Sequence, residues 1–344
     1  VQLYVTDPRI DSRWDDLVER HPMASAFHQR GWLEALSSTY GYKPFVLTSA
    51  APGQTLRDGV VVCRVSSWIT GTRLVSLPFA DHCEPLLEQP GDLQEFTEWL
   101  SAERDRQQYK YFELRPLSPR DASSGLQPSR SYYFHKLDLT PSLEQIFREL
   151  HKDSIQRKIR RAEREKLSYE VGCSEELLDE FYRLVLITRK RLRVLPQPRN
   201  WFRNLVRHMG DTLQIRVARS AGKAIAALLT LRNGSSVIYK YGCSDKKFHN
   251  LGGMPFLFWR LIEESKAAGA RQIDFGRTDL NNEGLITFKN RFGTTRTLLT
   301  YYRYPGIEKD HATASWDARA QQLFSLLPDA VSYAAGRVLY RHMG

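Results

Sequence analysis

Asn233-Gly234 stands between two largely apolar runs, Lys223–Leu231 and Ser236–Tyr241. Both residues of the pair tolerate positive φ, so it closes a tight hairpin whose twist matches the strands it joins. Ala221-Gly222 makes the same kind of corner one strand earlier, after Leu213–Arg219. An antiparallel meander is therefore the most tightly specified piece of the chain, and the rest must be built on a sheet. After the meander come a glycine-rich turn, a helix over Pro255–Ala268, a strand at Gln272–Phe275, a short helix at Glu283–Asn290 and a closing strand at Thr297–Tyr304. Ahead of it, Ser168–Val171 reads as a strand, and Glu175–Arg191 and Trp201–Met209 read as helices on their apolar spacing.

The first part of the chain repeats this order more faintly. Gln2–Thr6 alternates like a strand, and Asp11–Arg20 and His28–Tyr40 have helical faces bearing Trp14, Leu17, Val18 and Trp32, Leu33, Leu36. Strands follow at Phe45–Ser49, Gly59–Val65 and Arg73–Leu77, then a helix at Leu93–Gln107 and a strand at Lys110–Leu114. Ser118–Ser131 reads as a polar loop and Tyr132–Leu139 as the closing strand. The expected fold class is α/β with mixed sheets of the α+β kind. Residues 1–140 and 168–305 each form a mixed sheet flanked by helices, a basic helical hinge spans 141–167, and a helical tail runs over 306–344. No direct sequence repeat is visible, so the duplication is one of topology.

A chain of 344 residues suits two domains, and 42% apolar residues with 11% aromatics exclude a disordered chain. The net charge of +11 points to an anionic partner: nucleic acid, an anionic lipid surface or a phosphate-bearing small molecule. Four widely spaced cysteines fit neither a disulfide ladder nor a paired metal motif, which suggests a reducing cytoplasm. The longest apolar run, Ala224–Leu231, falls far short of the roughly 20 residues a membrane-spanning helix needs. Val1–Asp7 reads as a strand and not as a signal peptide. The expected location is cytoplasmic; the tail is expected to pack against the body, the alternative being peripheral contact with the inner membrane through its basic C-terminal end.

Strand, two helices, three-strand meander, helix, strand, short helix, strand is the order of the GNAT acyltransferase fold. Within it, Tyr239–Gly293 resembles the C-terminal half of the bacterial FemAB-like family. Asp153–Lys166 is similar to that family's basic helix, and Phe27–Leu36 and Leu74–Phe79 are similar to its N-terminal half. The family includes Fem aminoacyltransferases, which move amino acids from aminoacyl-tRNA onto peptidoglycan precursors, and GNAT-type acetyltransferases of envelope operons. The resemblance implies transfer of an acyl or aminoacyl group from acyl-CoA or aminoacyl-tRNA to an amine-bearing acceptor of the envelope, a polysaccharide or a secondary metabolite. The acceptor is lipid-linked in some of these settings. No tightly bound cofactor, no metal and no DNA partner are expected. The alternative is a non-catalytic GNAT scaffold that binds an anionic envelope intermediate or tRNA.

Acyl transfer needs a held carbonyl, a stabilised oxyanion and a base for the nucleophile. Lys289, in Phe288-Lys289-Asn290-Arg291-Phe292-Gly293, resembles the Fem lysine implicated in stabilising the tetrahedral intermediate. Phe288 of the same motif and Tyr239 are expected to contact substrate. Arg291, two positions on, is expected to point away from the cleft. Arg277 and Asp279 follow an apolar strand at its C-terminal edge, where open sheets bind ligands. Arg277 would clamp a phosphate or carboxylate and Asp279 would accept from an amine; otherwise the two form an internal pair. His249, Gly252 and Gly253 occupy the place of the GNAT pyrophosphate turn, although the glycines also suit a plain tight loop. The basic helix, capped by Asp153 or Ser154, offers Arg157, Arg160, Arg161 and Arg164 to phosphates unless it is merely a solvated face. Asp81, His82 and Glu84 form the one dense polar cluster of the first half, read as substrate contacts or a structural loop. Adjacent His82-Cys83 cannot easily converge on one ion.

Overall fold

The computed structural model describes residues 2–119, 125–306, 336 and 338–343. Its first half contains β1 (Tyr4–Thr6), α1 (Ser12–Arg20), α2 (Arg30–Tyr40), β2 (Lys43–Thr48), β3 (Val60–Val65), β4 (Arg73–Val75), α3 (Leu93–Arg106), β5 (Phe112–Leu114) and β6 (Gln127–Asp138). Two connecting helices follow, α4 (Leu143–Glu149) and α5 (Arg157–Arg164). The second half contains β7 (Ser168–Gly172), α6 (Glu175–Leu192), α7 (Arg199–Met209), β8 (Leu213–Ser220), β9 (Lys223–Asn233), β10 (Ser236–Ser244), α8 (Gly253–Ala267), β11 (Gln272–Asp279), α9 (Glu283–Asn290) and β12 (Thr295–Tyr304).

The two halves have the same topology. β1 to β4 run antiparallel and β4 then pairs parallel with β5; β7 to β10 run antiparallel and β10 then pairs parallel with β11. They do not keep separate sheets, however. The order is β1-β2-β3-β4-β5-β12-β6-β11-β10-β9-β8-β7, one sheet in which each half's closing strand is handed to the other. β5 pairs with β12 and β11 pairs with β6, while β6 and β12 pair with each other in the middle. Joining the sheets covers two edges that would otherwise expose unpaired N–H and C=O groups. The expected polar loop Ser118–Ser131 is correspondingly shorter, because β6 begins at Gln127 and uses its polar N-terminal residues to reach β12.

One face of the sheet is covered by α1 and α2 from the first half and by α6 and α7 from the second, in a single apolar cluster crossing the junction. Trp32 of α2 meets Trp201 of α7 edge-on at 5.2 Å between centroids. On the other face α3 covers the first half, while α5 and α8 cover the second. The hinge is helical as expected, but it breaks at Leu150. His151 Nδ1 accepts from the Ser154 amide at 3.3 Å, a capping role the sequence suggested for Asp153 or Ser154. One wide π-helical turn then leads into α5, with the buried Gln156 amide donating to the Leu150 carbonyl at 2.7 Å. Ile155, Ile159 and Ala162 form the buried face of this segment, as their spacing requires.

Most of the expected tail, including Trp316, Ala320, Leu323 and Leu327, lies outside the described residues. Its end is seated on the body: Tyr340 Oη donates to the Leu195 carbonyl at 2.9 Å, and Tyr42 Oη donates to the Arg341 carbonyl at 3.0 Å. Among the described residues no helix is long and apolar enough to cross a membrane.

Candidate active site

β10 and β11 pair only from Ser236 to Ile238 and from Gln272 to Asp274, and then part. Two irregularities drive them apart. In β10 the register against β9 slips between Tyr239 and Tyr241, leaving Lys240 as an extra, bulged residue. In β11 the register against β6 slips between Asp274 and Gly276, and Gly276 takes φ +71°, which a side chain would resist. A Cβ at Gly276 would also lie 2.8 Å from an Asp81 carboxylate oxygen.

The gap is filled by charge. Lys240 Nζ lies 3.1 Å from the Asp81 carboxylate, and Arg277 Nε lies 3.7 Å from it. Lys289 is buried at 2% exposure, and its Nζ donates to the Gly276 and Arg277 carbonyls at 3.0 Å each. Both carbonyls lie on β11 beyond the point where it parts from β10. His82 Nε2 lies 2.8 Å from Asp274, whose other oxygen accepts from the Gly276 amide at 2.6 Å. The cluster joins the halves, since Asp81 and His82 come from the loop after β4 and the rest from β10, β11 and α9. Burial alone would raise the Asp81 carboxyl, but Lys240, Arg277 and Lys289 together hold it below its ordinary value. Burial pushes Lys240 down, against the pull of Asp81. The Lys289 ammonium is pushed down to about 8, chiefly by loss of water and against the attraction of Asp81 and Asp274.

That last shift has a defined sign. Lys289 is depressed from 10.5 to about 8, so the folded protein sheds this proton before the unfolded chain does. The contribution to stability therefore rises between about pH 8 and 10.5, by at most about 1.4 kcal/mol per pH unit. The neutral amine keeps two N–H groups for its two carbonyls, so the hydrogen bonds survive deprotonation. Denaturant midpoints of the wild type and Lys289→Met, compared from pH 7.5 to 10, are expected to diverge as the pH rises. Parallel curves would show that the proton stays on.

Beside the parted strands lies a cavity of about 520 Å³, within the range of small-molecule sites. Ile225 and Ala226 of β9 and Gly242 to Ser244 of β10 line one side, and the start of α8 lines another. α9 supplies Leu285 and Phe288 and its C-cap supplies Arg291, a stripe of positions three apart. Lys289 lies about 100° round the helix from Phe288 and faces β11 instead. Arg291 thus lines the cavity where the sequence pointed it away, and Lys289 is held inside the sheet junction. α5 contributes Lys158 and α6 contributes Arg191. Arg191 lies 3.2 Å from His249 Nε2, which is 2.9 Å from Ser244 Oγ. Burial and the neighbouring Arg191, Lys158 and Lys246 push the His249 imidazole down. Lys158, Arg191 and Arg291 are the charged residues of the lining, and no Asp or Glu joins them among the described residues.

The glycines of the turn before α8 answer to packing. Gly252 has φ +80°, and a Cβ there would lie 2.3 Å from the Lys158 carbonyl oxygen, because α5 rests directly on the turn. Gly253 lines the cavity and packs on Ala226. Of the basic helix, Arg157 pairs with Asp153 at 2.8 Å on the surface, Arg161 lies 3.5 Å from Glu165, Arg160 lies over the Phe147 ring and Arg164 is exposed. Lys158, which the sequence did not single out, is the member that reaches the cavity. Asp279 is exposed at the end of β11. Arg277 is stacked 4.3 Å over the Tyr132 ring and donates to Tyr301 Oη at 2.9 Å. Tyr239 lies under Phe258 at 4.8 Å, and Phe288 packs on Phe292 at 5.2 Å while lining the cavity. Glu84 is buried and accepts from the Ser118 amide at 3.2 Å, a structural contact. Lys240, Asp274, Lys158 and Arg191 went unmarked in the sequence. A charge inside an apolar strand was the available signal, and it pointed to Lys240 and Asp274 alike.

Among the described residues no group of three His, Cys, Asp or Glu side chains converges as metal ligands would. The acetyltransferase (GNAT) domain family matches residues 150–289. The fold is similar to that of FemX, with a TM-score of 0.69 at 12% identity over 88% of this chain and 97% of that one. It is also similar to the C-terminal domain of a protein described as a lysylphosphatidylglycerol synthetase from Agrobacterium fabrum, with a TM-score of 0.59 at 16% identity over 90% and 95% of the two chains. A tandem GNAT protein from the clavulanic acid biosynthesis pathway gives 0.52 at 11% identity over 88% and 98%. No curated protein matches the chain in sequence.

Proposed function

We propose that the chain is a FemAB-like transferase, given its matched GNAT domain and its fold, and that it moves an acyl or aminoacyl group from a phosphate-bearing donor to an amine. The observation that carries this reading is the cavity beside the parted strands: mostly apolar, lined also by Lys158, Arg191 and Arg291, and without a carboxylate among the described residues. An acyl donor needs both features, a slot for its chain and cations for its phosphate. Beyond Ile238 the edge of β10 that faces β11 has no strand partner. N–H groups on that edge are free to hold a carbonyl oxygen as it gains charge, which is the main electrostatic demand of acyl transfer. In this reading Arg191, with His249 beside it, holds donor phosphate. Lys289 is a positioning residue, fixing the β11 carbonyls that define the opening. Arg277, stacked on Tyr132 and drawn toward Asp81, shapes the same junction.

The donor is acyl-CoA or aminoacyl-tRNA. The closed contact between α5 and the Gly252 turn favours a donor whose phosphate is met by side chains more than by the turn itself. It also favours a second reading, a GNAT scaffold that binds an anionic ligand without turning it over. Calorimetric titration with acetyl-CoA, and separately with a 3′-aminoacyl-adenosine 5′-phosphate, tests the site. Arg191→Gln is expected to weaken the donor that binds by about 10- to 100-fold, the scale of one charge-assisted hydrogen bond. Added salt is expected to weaken wild-type binding more steeply than binding by the variant. Failure of both ligands to bind, or affinity indifferent to Arg191, would sink the proposal. Binding without acyl transfer to any amine in a panel of envelope amines favours the scaffold.

A further inference from the structure

The loop from Ser66 to Thr72, between β3 and β4, holds no charged residue and carries the most exposed large apolar side chain of the described residues. Trp68 is 85% exposed and Ile69 beside it 48%. The loop is not loose. Ser67 Oγ accepts from the Ile69 and Thr70 amides at 3.2 and 2.9 Å, and the Gly71 amide closes back on the Ser67 carbonyl at 2.9 Å. The C-terminal end docks against its base: His342 Nδ1 lies 3.0 Å from Ser67 Oγ, and Arg73 donates to the His342 carbonyl at 3.0 Å. His342 supports the Trp68 ring edge-on at 5.6 Å. This docking sets the exposed Met343 next to the same loop, with Val338 one turn earlier. Lys110 lies against Gly71, and Arg341 adjoins His342; both are exposed.

A rigid turn that holds a tryptophan and an isoleucine out in water, with basic side chains beside them, has the chemistry of a membrane-interface anchor. The indole suits the headgroup level and the cations suit anionic lipid. We propose that the Trp68–Ile69 loop and the C-terminal end form a docking surface for an anionic lipid bilayer. The chain rests on the membrane through this surface without spanning it. The excess of positive charge on the whole chain supports the same partner. The surface is independent of the donor cavity, so this inference stands or falls apart from the acyl-transfer reading.

Co-sedimentation of the full chain with vesicles of phosphatidylcholine, with and without phosphatidylglycerol, tests it. Binding is expected on the anionic vesicles and is expected to fall at least about tenfold in Trp68→Ala/Ile69→Ser, with melting unchanged because both side chains are exposed. Lys110→Gln and Arg341→Gln are each expected to weaken binding about fivefold on anionic vesicles. Brominated lipid is expected to quench the wild type more than Trp68→Phe. Absence of binding to anionic vesicles overturns the proposal, and so does binding that survives the double variant. A dimer in lipid-free solution that the double variant breaks also overturns it, since a second copy would then cover the patch.

Discussion

Replacing Asp81 by alanine is expected to lower stability by about 3–5 kcal/mol, which few domains tolerate. Asp81 is half-buried where the halves meet, its side chain 15% exposed, 3.1 Å from Lys240, 3.7 Å from Arg277 and attracted to Lys289. Three cations share that carboxylate, with Asp274 the other acid of the cluster. Taking it away leaves buried positive charge facing positive charge, which costs more than the original ion pair contributed. Urea denaturation at pH 7 measures the loss, and a loss below about 1 kcal/mol would show that water or rearrangement makes up the charge. Adding Lys240→Met to Asp81→Asn is expected to recover part of the stability, because it removes the cation nearest the vacated site. The acid limb gives a second check. The folded-state value of Asp81 lies below the ordinary 3.8, so its contribution is complete above that pH and is lost as pH falls through the lowered value. Wild type is therefore expected to lose stability below about pH 4 more steeply than Asp81→Asn.

Gly252→Ala is expected to cost about 3 kcal/mol, although it adds a single methyl group. Two penalties combine. The residue holds φ +80°, where a Cβ strains the backbone by about 1–2 kcal/mol. The new methyl would also lie 2.3 Å from the Lys158 carbonyl, an immovable backbone atom unless α5 lifts. Lifting α5 takes Lys158 away from the cavity, so donor affinity is expected to fall together with stability. Gly269 provides the control, since it has φ +78° and open space around its Cα. Gly269→Ala is expected to show the strain alone and to leave donor binding unchanged. Equal losses at both positions would mean that the α5 contact contributes nothing.

How far the sequence reached differs between the fold and the site. The meander, the apolar faces of α1, α2 and α5, and the short helix of Lys289 were legible because each rests on residues within a few positions of one another. The pairing of β6 with β11 and β12 was not. Alternation states that a strand exists and which face is apolar, but it is silent about the neighbour. The same holds at the site. Asp81 and His82 stood out as a polar cluster, and Arg277 and Lys289 as polar residues in apolar surroundings. Nothing local says that Asp81 and Lys240 meet across 159 residues, or that His82 meets Asp274 across 192.

What the chain determines by itself, then, is a duplicated order of strands and helices, a glycine-rich turn after β10 and a set of charges awaiting partners. Tertiary structure decided which half each closing strand joined, that Lys289 faces the sheet junction while Arg291 faces the cavity, and that Lys158 is the cation of the basic helix that reaches it. The reason is geometric. A helix distributes neighbouring residues about 100° apart, so the rotation of α5 or α9 against the sheet selects which cation is buried, which lines a cavity and which stays in water. That rotation is set by ridges of apolar side chains from segments far apart in the chain, which no local pattern contains.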